Sequence, residues 1–134
     1  MKRTNKSGTV LIYNCTGPKF SKLSQIFAML GLRMRRVQPD QYSLPLLSLA
    51  KGEGEPAEVA AEPFAENMLV FCGLNQAFLN QLLEVIRLAK LPPIPLKAVL
   101  TMENQEWDSV KLHDELLKEK EKLENGNSEE SEEQ

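Results

Sequence analysis

The sequence predicts an α/β fold: a four-stranded open, mainly parallel sheet with helices on both faces. Two strand candidates, residues 9–15 (TVLIYNC) and 68–73 (MLVFCG), are apolar at consecutive positions. Side chains alternate faces along a strand, so both faces of each strand must be covered. Between the strand candidates lie stretches whose apolar residues recur at spacings of three and four, the period of a helix buried on one side. Strands and helices alternate along the chain, as in a sheet held between helical layers.

Residues 1–8 are polar and basic and form a flexible N-terminus. In the first strand, Val10 and Ile12 share one face and Leu11 and Tyr13 the other. A helix is predicted over residues 18–30, with Phe20, Leu23, Phe27 and Leu30 on its buried side, Ile26 beside them, Pro18 near its start and Gly31 as its left-handed stop. Residues 32–38 (LRMRRVQ) read as a charged strand, with Arg33 and Arg35 on one face and Arg36 beside Met34 on the other. Such charge keeps an edge strand from pairing with strangers. Residues 45–52 fit a short helix between Pro45 and Gly52, and residues 53–62, with four acids and no aromatic, fit a mobile connection.

The strand at residues 68–73 should lie beside the first. Asn75 caps a helix over residues 76–90, and Leu74 and Leu79 stand where a hydrophobic staple forms around that cap. Phe78, Leu82, Ile86 and Ala89 give its buried stripe, widened by Leu79, Leu83 and Val85. Residues 96–101 (LKAVLT) form the last strand. A loop leads to a helix capped by Asp108 or Ser109, with Trp107 and Leu112 as a second staple. One domain therefore spans residues 9–123. Residues 124–134 (ENGNSEESEEQ) carry five acids and no base and read as a disordered acidic tail.

Two topologies suit this order. If residues 39–66 cross over, the strands run parallel; if they form a long hairpin connection, the result is a ferredoxin-like βαββαβ sheet with an added C-terminal helix. Strands apolar on both faces favour the first. The choice bears on function, because open α/β sheets bind ligands at the carboxyl ends of their strands. In the parallel version one rim gathers Asn14, Cys15, Thr16, Cys72, Gly73, Thr101, Asn104 and Trp107. In the other version Asn14, Cys15 and Thr16 move to the far end.

The chemistry is sparse. Phosphate-cradling glycine loops are absent, and Gly73 stands alone after its strand. His113 is the only histidine, so no metal constellation can be drawn, and it reads as an ordinary helix histidine. No cofactor is implied. Cys72 precedes a helix N-terminus that favours a thiolate, yet without a basic partner it reads first as a packed thiol. Thr101, Asn104 and Trp107 either line a small polar pocket or simply shape a turn and staple a helix. No run reaches the roughly 18 apolar residues of a membrane span, and the first ten residues lack the apolar core of a signal peptide, so a cytoplasmic protein is expected.

The net charge of −3 conceals a split: residues 1–51 hold nine Lys/Arg against Asp40 alone, and residues 52–134 hold seven against eighteen acids. Lys2, Arg3, Lys6, Arg33, Arg35 and Arg36 are the candidates for nucleic-acid contact, but no aromatics are interleaved with them.

From the strand at 68–73, the helix at 76–90, LKAVLT, Asn104, Trp107 and the Glu115-Leu116 pair, the C-terminal half resembles an uncharacterised bacterial domain-of-unknown-function family, number 3783. The similarity covers roughly residues 66–122, and LIYN, the following helix and the PL-rich segment look like the leading part of full-length members. The resemblance implies no activity. The chain is thus expected to be a small interaction or regulatory module, with a protein partner ahead of nucleic acid, no membrane, and an open oligomeric state. A small-molecule binder or enzyme at the strand-end rim is the alternative.

Overall fold

β1 (Thr9–Tyr13) and β3 (Met68–Cys72) lie side by side at the centre of a four-stranded sheet, flanked by β2 (Arg33–Arg36) and β4 (Leu96–Val99) in the order β2-β1-β3-β4. The structure, a computed structural model, describes residues 8–133, with side chains through residue 124. The expected flexible segment lies, apart from Gly8, outside the described residues, as do Lys2, Arg3 and Lys6.

The sheet is open and mixed. β1 pairs parallel with β2, and β3 parallel with β4; β1 and β3 run antiparallel, with Thr9 opposite Cys72 and Tyr13 opposite Met68. Two of the three pairings are parallel, as a mainly parallel sheet requires, and the ferredoxin-like order is not the one observed. The central pairing corrects the expectation of a single crowded rim. The chain leaves β2 and enters β3 at the same end of the sheet, so residues 37–67 need only pass across β1. Their one α-helix, α2 (Leu46–Lys51), has six residues, about 9 Å of rise, against about 16 Å for a five-residue strand.

Helices cover both faces. α1 (Ser21–Met29) and α3 (Gln76–Leu88) bury Leu23, Ile26, Phe27, Leu79, Leu82 and Ile86 against Val10, Ile12, Leu69 and Phe71. On the other face, α2 and α4 (Ser109–Glu133) lie over Leu11, Tyr13, Met68, Val70 and Cys72. β1 and β3 are buried on both faces because a core sits on each side. Val85, expected to widen the α3 stripe, is exposed instead.

Local signals act as their chemistry dictates. The Asn75 side chain accepts from the Phe78 N–H at 2.8 Å and caps α3, and Asp108 does the same for the Lys111 N–H at 2.8 Å in α4. Pro18 starts a 3-10 turn (Pro18–Phe20) ahead of α1. α2 stops at Gly52, whose φ of 73° is left-handed, and Arg35 Nε donates to the Ala50 carbonyl there at 3.3 Å. The connection after α2 has no helix or strand through residue 67. It is tied to the turn at Pro39–Gln41 by Ala57 N–H to Asp40 O (2.8 Å) and Ala61 N–H to Pro39 O (3.1 Å). α4 continues past Leu123 into the acidic stretch.

The fold is two copies of one plan, each a strand, a helix and a parallel strand, joined through β1 and β3. Tyr13 and Cys72 end the central strands 59 residues apart in the chain. The same interval links Asn14 to Gly73 (φ 68° and 77°) and Gly31 to Lys90 (φ 74° and 57°). Phe20 and Leu79, and Leu23 and Leu82, are likewise buried pairs at that interval.

Candidate functional site

The antiparallel centre divides the sequence-named residues between two rims. Cys72 ends β3 and Gly73 follows it, and Thr101, Asn104 and Trp107 follow β4, whereas Asn14 and Cys15 follow β1 at the opposite end.

At the β3–β4 rim, burial pushes the Cys72 thiol up to about 12, so it is a packed, protonated side chain. The polar atoms of Thr101 and Asn104 are spent on each other. Asn104 Oδ1 accepts from the Thr101 N–H (2.8 Å), Thr101 Oγ1 accepts from the Asn104 N–H (3.0 Å), and Asn104 Nδ2 donates to the Val99 carbonyl (3.0 Å). The loop so fixed turns two carbonyls onto the start of α2: Leu46 N–H donates to Trp107 O at 2.8 Å, and Leu47 N–H to Gln105 O at 3.0 Å. These satisfy helix N-terminal donors that no side chain caps. Trp107 is half-buried in the core beneath, and the Lys111 ammonium lies 4.7 Å from its ring centre.

At the β1 rim, burial holds the Cys15 thiol up at about 11. Asn14, in its left-handed conformation, donates from Nδ2 to both Phe64 O (2.8 Å) and Glu66 O (2.9 Å). The Phe64 ring stacks on Tyr42 (centroids 4.8 Å apart) and on His113 (3.9 Å). His113 is buried. Its Nε2 lies 2.7 Å from Glu66 Oε1 and its Nδ1 3.0 Å from Asp114 Oδ1. Deeper in, the hydroxyls of Tyr13 and Ser109, both buried, share a hydrogen bond of 2.7 Å. The His113 contact holds the Glu66 carboxyl below the usual range, and desolvation raises the Tyr13 phenol.

Sequence reasoning assigned His113 no partner, and the structure gives it two. No local pattern marks the pairing with Glu66, which is 47 residues away. With both ring nitrogens taken by carboxylates and Ser109 turned to Tyr13, this cluster is a clasp over the sheet with no free nucleophile. Among the described residues no group of three His, Cys, Asp or Glu side chains is placed to hold a metal, and no helix is long and apolar enough to cross a membrane.

The sheet edges differ in kind. β2 exposes Arg33 and Arg36, while Arg35 is half-buried at the α2 terminus. β4 carries Leu96, Lys97, Ala98 and Val99, and Lys97 Nζ is folded back onto the Ile94 carbonyl at 2.8 Å. Furrows of about 410 and 330 Å³ flank β4. The first is lined by Leu83, Ile86 and Leu91 among others, the second by Pro95, Leu96, Leu116 and Leu123.

Fold and rims together define an open α/β domain of two strand–helix–strand units with no assembled catalytic constellation among the described residues. Residues 67–123, the second unit and the start of α4, match the family model of a domain of unknown function, DUF3783. That part of the chain is similar to this domain, whose function is not known. No curated protein and no solved structure matches the chain.

Proposed function

We propose that the chain is a protein-interaction module that pairs with a second copy of itself through the free edge of β4. The observation that carries this is the direction of the β4 backbone. Leu96 and Leu100 donate their N–H groups to Asn67 O and Phe71 O of the β3 side, so the alternation of a parallel ladder turns the N–H groups of Lys97 and Val99 outward. Unpaired strand edges invite another strand unless charge or proline guards them. Here the single charge is turned back onto Ile94 O.

A second copy fits this edge better than an isolated peptide does. Antiparallel pairing about Ala98 sets Lys97 opposite Val99 of the other copy. It also brings the loop after β4 toward the other copy's Pro95 end. That loop, shaped by Thr101 and Asn104, presents Met102 at 87 % exposure, and the Pro95 end has the furrow lined by Leu116 and Leu123, the latter 54 % exposed. These apolar features lie at opposite ends of one short strand, so a two-fold axis matches each to the other, whereas a single peptide meets one. A reducing, cytoplasmic setting suits the two free, buried thiols, and the family resemblance favours a bacterial one.

Sedimentation velocity tests the proposal. The expected species is a dimer of the 15.1 kDa chain that Val99→Lys, which faces two like charges across the seam, and Met102→Glu both dissociate. A monomer at every concentration, or a dimer indifferent to both substitutions, overturns it.

A further inference from the structure

A cleft of about 550 Å³ opens between the turn that starts α1 and the turn that ends α3, at the end of the sheet where β1 finishes. Lys19, Lys22 and Lys90 line it, with no acidic side chain among the lining residues. All three are exposed, and none joins an ion pair among the described residues. On a chain of net charge −3, three unpaired ammonium groups around one concavity are a local reversal of sign. A bound anion would lower the positive potential they create together.

The rest of the lining has a different character. Leu91, Pro92 and Pro93 give an apolar wall, and Ser21 adds a hydroxyl beside the lysines. Lys90 also occupies a left-handed position, φ 57°, which at the corresponding place in the first half is taken by Gly31. A residue with a Cβ is disfavoured there. The chain thus carries a cation where its own first half carries the unstrained residue.

We propose that this cleft binds a small phosphorylated molecule, its phosphates among Lys19, Lys22 and Lys90 and its ring or apolar body against Leu91, Pro92 and Pro93. Lysines bind phosphate as point charges. The volume lies within the roughly 300–1,000 Å³ of small-molecule sites, and the cleft sits at the end of the sheet where β1 finishes and β4 begins. A nucleic-acid strand is a poorer fit, because no aromatic side chain lines the cleft for base stacking. The site does not involve β4 and stands apart from self-pairing.

The test is titration of the full chain at low salt with inorganic pyrophosphate and with adenosine diphosphate, followed by amide NMR shifts. The expected result is saturable shifts at Lys19, Ser21, Lys22 and Lys90, with adenosine diphosphate the tighter of the two. The double variant Lys19→Gln/Lys22→Gln is expected to weaken both by at least about tenfold. Lys90→Gly separates site from fold: affinity falls while the melting temperature rises, a combination that partial unfolding cannot produce. Lys118→Gln, on α4, leaves binding unchanged. The proposal is overturned by absence of binding at low salt, by equal affinity in the variants, or by shifts centred on Arg33 and Arg36. Tighter binding of a single-stranded oligonucleotide than of either probe overturns it as well.

Discussion

Leu23 in α1 and Leu82 in α3 are buried on the same face of the sheet, in one core. Around them the two halves of the chain repeat the same steps: an apolar strand, a left-handed residue, a helix, a left-handed stop and a parallel strand. They part company where they meet solvent. The first half ends in an arginine edge and a rim clasped by Phe64, Glu66 and His113; the second ends in an apolar edge and a rim closed by its own turn. Residues shared by both halves build the core beneath α1 and α3, whereas the core beneath α2 and α4 draws on Tyr42, Leu46, Leu49 and Leu112, which the repeat does not contain.

The equivalence is open to a direct test. Leu23→Ala and Leu82→Ala, at 2 % and 1 % exposure, should each cost about 2–5 kcal/mol, because each removes apolar atoms and leaves a cavity. Urea unfolding measures both. A loss below about 1 kcal/mol for one and a large loss for the other would mean that only one half has a rigid core.

The features that are alike in the two halves were legible in the chain, because they are local. Consecutive apolar residues at Val10–Leu11–Ile12 and Leu69–Val70–Phe71 marked central strands, and Asn75 marked a helix start. Strand direction was not legible. It depends on where residues 37–67 deliver the chain, and neither strand's composition records that. The clasp escaped for a related reason: His113 meets Glu66 and Phe64 only because α4 lies over the entry to β3. Asn104 and Trp107 were visible as special, yet the loop they shape caps α2, an element more than fifty residues earlier in the chain, through the carbonyls of Gln105 and Trp107, a role no spacing within their own loop reveals.

The β4 loop gives the next largest effect, from a feature that only the second half carries. Asn104→Ala removes two side-chain hydrogen bonds, to the Thr101 N–H and the Val99 carbonyl, at a site water can reach. A loss of about 1–2 kcal/mol is expected in the same urea assay. Hydrogen exchange should quicken at Leu46 and Leu47, whose acceptors sit in that loop. Unchanged exchange there would show that the loop holds α2 without the Asn104 side chain.

Gly31 and Lys90 offer a smaller comparison. A Cβ built on Gly31 meets no atom within 4 Å, so Gly31→Lys pays no steric cost beyond its left-handed backbone, about 1 kcal/mol. Thermal unfolding checks it. A loss several times larger would mean that Gly31 has a packing role that Lys90 does not share.

The smallest effect tests the clasp that only the first half's rim carries. Glu66 has its pKa lowered mainly by its hydrogen bond to His113, and it is partly exposed, so solvent screens the contribution. A depressed carboxylate pKa means that the stabilisation is present above the ordinary value of 4.5 and is lost as pH falls through the lowered value. Glu66→Gln removes that dependence while keeping the shape of the side chain. The melting temperatures of the parent and the variant should therefore differ modestly at neutral pH, with the parent higher, and converge as the pH drops below 4.5. A gap that persists in acid would show that the contact acts through packing of Phe64 between Tyr42 and His113. In that case the aromatic stack, and not the carboxylate, holds the connection across the sheet.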